Sequence, residues 1–178
     1  MRIDTLMTSA DRSTSTEKTD LLDTLADHRA FLLRTVHGIS DEQAGLRPTA
    51  SELCLAGIVK HLALVEEGWV NFIVDGPEAI GPADAAAYER HLAGFLIEGE
   101  SLDALVTRYE GVARRTEELV VSLPSLDVSH PLPEAPWFEA GSSWSARRTL
   151  LHVIAETAQH AGHADIIRET IDGAKTMG

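Results

Sequence analysis

The chain contains a single cysteine, Cys54. That excludes an intrachain disulfide framework and any zinc site built on several thiolates, so a metal here must rest on histidine and carboxylate. Basic residues are also scarce, with 15 Lys and Arg against 28 Asp and Glu and a formal net charge of −13. Lys60, the pair Arg114-Arg115 and the pair Arg147-Arg148 are too sparse to build a basic face, which argues against nucleic acid as a partner. No apolar run approaches the roughly 18 residues of a membrane-spanning helix. The start of the chain, Met1 to Thr19, is rich in Ser, Thr and Asp and lacks the apolar stretch of a secretory signal. The expectation is a cytoplasmic protein with no membrane partner. No convincing strand pattern and no internal repeat is visible.

What is present is helical periodicity over most of 178 residues, a length that suits one domain. Residues 1–18 read as a disordered lead-in, and 19–174 as the folded domain. The first helix is expected from about Thr16 to His37, with Gly38 closing it. Ser40-Asp41-Glu42-Gln43 has the spacing of a capping box and opens a short turn that Arg47-Pro48 stops. The second long helix is expected from about Ser51, as N-cap, to Val74, before the terminator Asp75-Gly76-Pro77. The third runs from about Ser101 to Leu123, and the fourth from about Ser145 to Ile171 with Gly173 beyond it.

Two long connections separate these helices. Within 76–100, Asp84 to Phe95 predicts an extra helix after Pro82-Ala83. The stretch 124–144 holds four of the seven prolines together with Trp137 and Phe138, a composition that reads as an ordered connection packed on the body. The fold class is therefore all-α, a four-helix bundle with long crossover connections.

One run in the fourth helix carries the chemistry, Leu150-Leu151-His152-Val153-Ile154-Ala155-Glu156-Thr157-Ala158-Gln159-His160-Ala161-Gly162-His163. Three of the eight histidines fall in it. At about 100° per residue, His152, His163, Glu156 and His160 lie at roughly 0°, 20°, 40° and 80°, so four ligating groups share one face. An inward polar stripe needs partners, and a metal ion supplies them. His61 in the second helix is placed to meet that stripe across a bundle core. His61 with the i, i+4 pair Glu156 and His160 makes a two-histidine, one-carboxylate set. Such a set leaves a coordination position open, as catalytic rather than structural sites do. The plain alternative is that these are solvated or hydrogen-bonded helix residues.

The same residues carry a family resemblance. His160-Ala-Gly-His163-Ala-Asp-Ile-Ile-Arg168, preceded by Leu151-His152 and Glu156, resembles the last helix of the DinB-like family. Ile58-Val59-Lys60-His61-Leu62 with Glu66 and Trp69 resembles its second helix. Ser143-Trp144-Ser145 and Ile171-Asp172-Gly173 also fit, and the resemblance spans about Leu21 to Gly173. It implies a four-helix bundle holding a divalent metal, commonly zinc or nickel, on His61, Glu156 and His160. Many members have His where this chain has Glu156; the mycothiol-dependent maleylpyruvate isomerase is a relative that resembles it in using Glu. His163 stands where many members carry Gln, and at i, i+3 it is an alternative ligand to Glu156.

Other residues take lesser roles in this reading. His152, one turn before Glu156, is expected to hydrogen-bond a ligand or a water. Cys54 is expected to act as a small buried hydrophobe rather than a ligand. Glu66 and Glu67 read as solvated or interhelical partners, and His28, His37, His91 and His130 as scattered. Trp69, Trp137 and Trp144 read as core or pocket wall, and Trp137 with Phe138 as a cover for the metal mouth.

Two functions of different kind follow. In the first, which the resemblance implies, the metal activates a low-molecular-weight thiol, mycothiol, bacillithiol or a similar one. The thiol then reacts with an electrophilic substrate, giving S-transfer or isomerisation. Glu156 would temper the acidity of the metal compared with three neutral imidazoles, and hydrolysis by a metal-bound hydroxide is a variant on the same ligands. In the second, the protein is a non-catalytic, metal-stabilised, stress-associated bundle. An exposed helix face could pair two copies, since relatives often form dimers.

Overall fold

A computed structural model describes residues 9–81 and 84–176 of the chain. Residues 1–8 of the expected lead-in lie outside the described residues. Six helices and a small hairpin follow in the order α1 (Ser9–Val36), α2 (Asp41–Ala44), α3 (Leu55–Asp75), α4 (Ala85–Ala93), α5 (Leu102–Ser122), β1 (Ser129–Pro131), β2 (Ser143–Ser145) and α6 (Ala146–Asp172), with a 3-10 turn at Gly76–Ala79. The long helices α1, α3, α5 and α6 are the expected bundle, with α1 packed along α6 and α3 along both α5 and α6. No helix among the described residues is long and apolar enough to cross a membrane.

The element ends follow their capping chemistry. Ser40 and Gln43 form the reciprocal capping box of α2, at 3.2 and 3.0 Å. Asp84, Ser101 and Ser145 accept backbone N–H groups at the starts of α4, α5 and α6. Gly173 closes α6 at φ +80°, a left-handed conformation that glycine adopts without strain.

Three features differ from the sequence reading. The first helix begins at Ser9 rather than near Thr16. The second long helix is capped by Cys54, whose Sγ accepts from the Gly57 N–H at 3.4 Å, and not by Ser51. Ser51 instead accepts from the Leu53 N–H, inside the preceding turn. The third difference is the hairpin, which pairs Ser129 with Ser145, His130 with Trp144 and Pro131 with Ser143. Three-residue strands are too short to show the alternation by which strands are read from sequence.

The main core joins Leu32, Leu55, Ile58, Leu62, Tyr109, Val112 and Ile167 from the four long helices. A second cluster, Ile73, Val120, Leu126, Ala146 and Leu150, packs where α3, α5, the 124–128 segment and the start of α6 meet. Set among these apolar side chains is a buried ion pair. Arg29 of α1 is 5% exposed and Glu66 of α3 is 1% exposed. The Arg29 guanidinium donates to both Glu66 oxygens, and the Thr116 hydroxyl of α5 donates to the same carboxylate. Glu67, one residue on, receives Arg108 and Arg115 of α5 at the surface. Both glutamates are thus interhelical partners, tying α3 to α1 and α5.

Candidate metal centre

His61 lies on the buried face of α3 and is 2% exposed. Glu156 and His160 lie one turn apart on α6, half-buried, on the face that meets α3. One donor atom from each of the three lies within 4.8 Å of the other two. Donors around one tetrahedral cation stand roughly 3.3 Å apart, so a modest side-chain rotation closes the set. Among the described residues this is the one such group.

The electrostatics suit a cation. The Nε2 atom of His61 is buried and has no hydrogen-bond partner, which is an unfavourable state for a polar atom unless something else fills it. Burial, reinforced by the nearby His160 and His91, pushes the His61 pKa down to about 3. Burial likewise lowers His160 and His152, partly opposed by the Glu156 carboxylate. The imidazoles are therefore neutral at pH 7 and offer lone pairs, the form a metal requires. The Glu156 oxygens stand 4.0 Å from His152 Nε2 and 3.8 Å from His160 Nε2, too far for hydrogen bonds. The carboxylate thus sits between two imidazoles without being consumed by either.

The surroundings form two aromatic walls. On one side the Phe95 ring stacks on His61, centroids 3.9 Å apart, and the His91 ring meets His61 edge-on at 5.1 Å. On the other side Trp69 of α3 stacks on Trp144 of β2 at 4.8 Å, and both meet the edge of His152 at 4.9 and 5.1 Å. Phe138 packs against both tryptophans, and Arg148 lies 4.7 Å over the Trp144 ring.

The sequence-derived residues distribute as follows. His61, Glu156 and His160 come together. His152 flanks Glu156 on the tryptophan side, and His163 flanks His160 without joining the converging donors. Cys54 caps α3 and is not among them. Phe138 belongs to the tryptophan wall, whereas Trp137 is 64% exposed and reaches only as far as Phe138. His28, His37 and His130 lie elsewhere, the last with Nε2 3.2 Å from the Ile73 carbonyl oxygen. His91, read as scattered, is instead part of the site.

His91 and Phe95 were not accessible to spacing arguments, because they reach His61 from a separate element, α4 and the turn after it. The signal that existed was Gly57, one turn before His61. A Cβ there would lie 2.4 Å from the Phe95 carbonyl oxygen, so only glycine lets that turn lie on α3. Lys60 secures the same turn, donating to the Leu96 carbonyl at 2.8 Å and pairing with Glu100.

Fold and site together define an all-α bundle with a two-histidine, one-carboxylate centre between facing helices. Residues 20–173 match the mycothiol-S-transferase family. The chain belongs to that family, a DinB-like family of helical bundles. A search of curated proteins gives no match.

Proposed function

We propose that the protein is a metal-dependent S-transferase that joins mycothiol, or a closely similar thiol, to an electrophilic carbon. The observation that carries this is the convergence of His61, Glu156 and His160 in a chain of the mycothiol-S-transferase family. Zinc or nickel suits imidazole and carboxylate donors. Such a divalent cation supplies the Lewis acidity that makes a thiol acidic at neutral pH.

The chain's own groups do the rest. His61 and His160 present neutral nitrogens, and Glu156 contributes one negative charge. Three protein donors leave room for a substrate atom. Phe95 and His91 on one side, and Trp69 and Trp144 on the other, flank the centre and offer apolar surface to the electrophile. In the transfer, sulfur forms the new bond to carbon, the leaving group departs with its bonding pair, and the thiol proton passes to solvent. Addition of the thiolate followed by its departure gives isomerisation from the same arrangement.

The test is conjugation of mycothiol to a panel of chromogenic electrophiles by zinc- or nickel-loaded protein. Metal-dependent turnover that His160→Ala abolishes is expected. Equal rates in wild type and His160→Ala would overturn the proposal. Full metal retention without turnover across the panel would favour the non-catalytic bundle.

A further inference from the structure

His160 faces two ways. Its Nε2 is turned to the Glu156 carboxylate at 3.8 Å, while its Nδ1 stands 3.5 Å from Nδ1 of His163. The His160 and His163 rings meet edge to face, with centroids 5.3 Å apart and planes at 72°. The other rings packed on His160 are His61 and Phe95, and Phe95 has no acceptor to offer. His163 lies on the same helix at i+3, half-buried, so the pair is held by the backbone itself.

An imidazole that gives one nitrogen to a metal carries its proton on the other, and the acceptor of that proton fixes ring orientation and tautomer. With Nε2 of His160 turned into the centre, the proton falls on Nδ1. The acceptor within reach is Nδ1 of His163, which must then carry its own proton on Nε2. We propose that His163 is a positioning residue for His160, holding it in the Nδ1–H tautomer with Nε2 aimed at the centre, and is not a ligand replacing Glu156. This rests on the metal reading above. It assigns to an imidazole the place that a carboxylate or backbone carbonyl usually takes behind a ligating histidine.

The experiment uses Co2+ as the probe, with affinity measured by chelator competition and coordination by visible absorption, for wild type, His163→Leu and His163→Gln. Leu keeps the bulk without an acceptor, and Gln restores one. His163→Leu is expected to bind about 10–100-fold more weakly, with unchanged ligand-field bands, and His163→Gln to recover most of the loss. Equal affinity in all three proteins overturns the proposal. Bands altered in both variants, as for loss of a nitrogen donor, overturn it in favour of direct ligation. If His163→Leu does not fold, nitrogen NMR of the zinc-loaded wild type decides, with Nδ1–H at His160 and Nε2–H at His163 expected and any other pair of tautomers overturning the assignment. Absence of Co2+ binding in wild type would overturn the metal reading itself, and is seen before any variant is compared.

Discussion

The Phe95 ring lies nearly flat on the His61 imidazole, 16° from parallel. This contact closes one face of a histidine whose Nε2 has no hydrogen-bond partner. It exists because Gly57 and Lys60, on the same helix as His61, admit and tether the turn that carries Phe95. His61 and the two residues that seat its cover, Gly57 and Lys60, therefore fall within five consecutive residues of α3.

Gly57→Ala is expected to break this arrangement. The added methyl would meet backbone oxygen at 2.4 Å, a clash that no side-chain rotation relieves. A loss of about 1–3 kcal/mol in urea unfolding is expected, together with faster modification of His61 by diethyl pyrocarbonate, resolved by mass spectrometry. Wild-type protection of His61 in the variant would show that Phe95 is not what shields it.

Metal content should separate the proposed ligands from their neighbours. His61→Ala and His160→Ala should each purify without stoichiometric metal, measured by elemental analysis. Cys54→Ser should retain it, because serine keeps the cap on α3 and the thiol is not among the converging donors. Full retention in both histidine variants would remove the proposed set.

The buried pair Arg29–Glu66 should be costly to halve. Replacing Arg29 alone by Met leaves the Glu66 carboxylate uncompensated in the core, at about 3–5 kcal/mol, whereas Glu66→Met should cost less because Arg29 keeps Glu117 at 3.2 Å. The double change Arg29→Met with Glu66→Met should be far milder than the sum of the two single losses. Additive losses in chemical denaturation would mean that the two residues act independently.

Acidification should loosen the junction of α1 with α6. Arg147 donates to Glu17 and Asp127, and these hydrogen bonds hold both carboxyls below their ordinary values. A lowered folded pKa means that the unfolded chain binds protons first as pH falls. The contribution is thus complete above the unfolded values near 4 and disappears as pH drops through the folded ones. The Tm difference between wild type and Arg147→Gln should be present at pH 7 and shrink below about pH 4. All three groups are well exposed, so added salt should also reduce it. A difference that persists at pH 2 would point to packing of the arginine stem instead.

Much of this was legible in the chain because helices repeat. Periodicity and caps located four bundle helices and α4, and the angular spacing on α6 put Glu156 and His160 on one face with His152 and His163. What spacing cannot carry is distance between elements. The partnership of His61 with His91 and Phe95, or of Trp69 with Trp144, depends on how loops return, and that is set by contacts such as Gly57 against Phe95 and Lys60 against Leu96. The hairpin was hidden for a different reason, since its strands are held by pairing and by the α6 junction rather than by alternating burial. Ser51 carries a hydroxyl, a stronger acceptor than the Cys54 thiol, yet the chain turns into the helix only at Leu55, where Cys54 is the cap.

Ser145 ends β2 and at the same time caps α6. The hairpin therefore sets the phase of the helix that carries the carboxylate and the histidines. One residue inserted between Ser145 and His152 would rotate Glu156 and His160 by about 100° and raise them about 1.5 Å along the axis, away from His61. The same insertion in the Leu132–Ser142 loop would leave that phase intact. Over generations, length variation should accumulate on the far side of the hairpin and be rejected on the near side, with a three-residue strand as the dividing line.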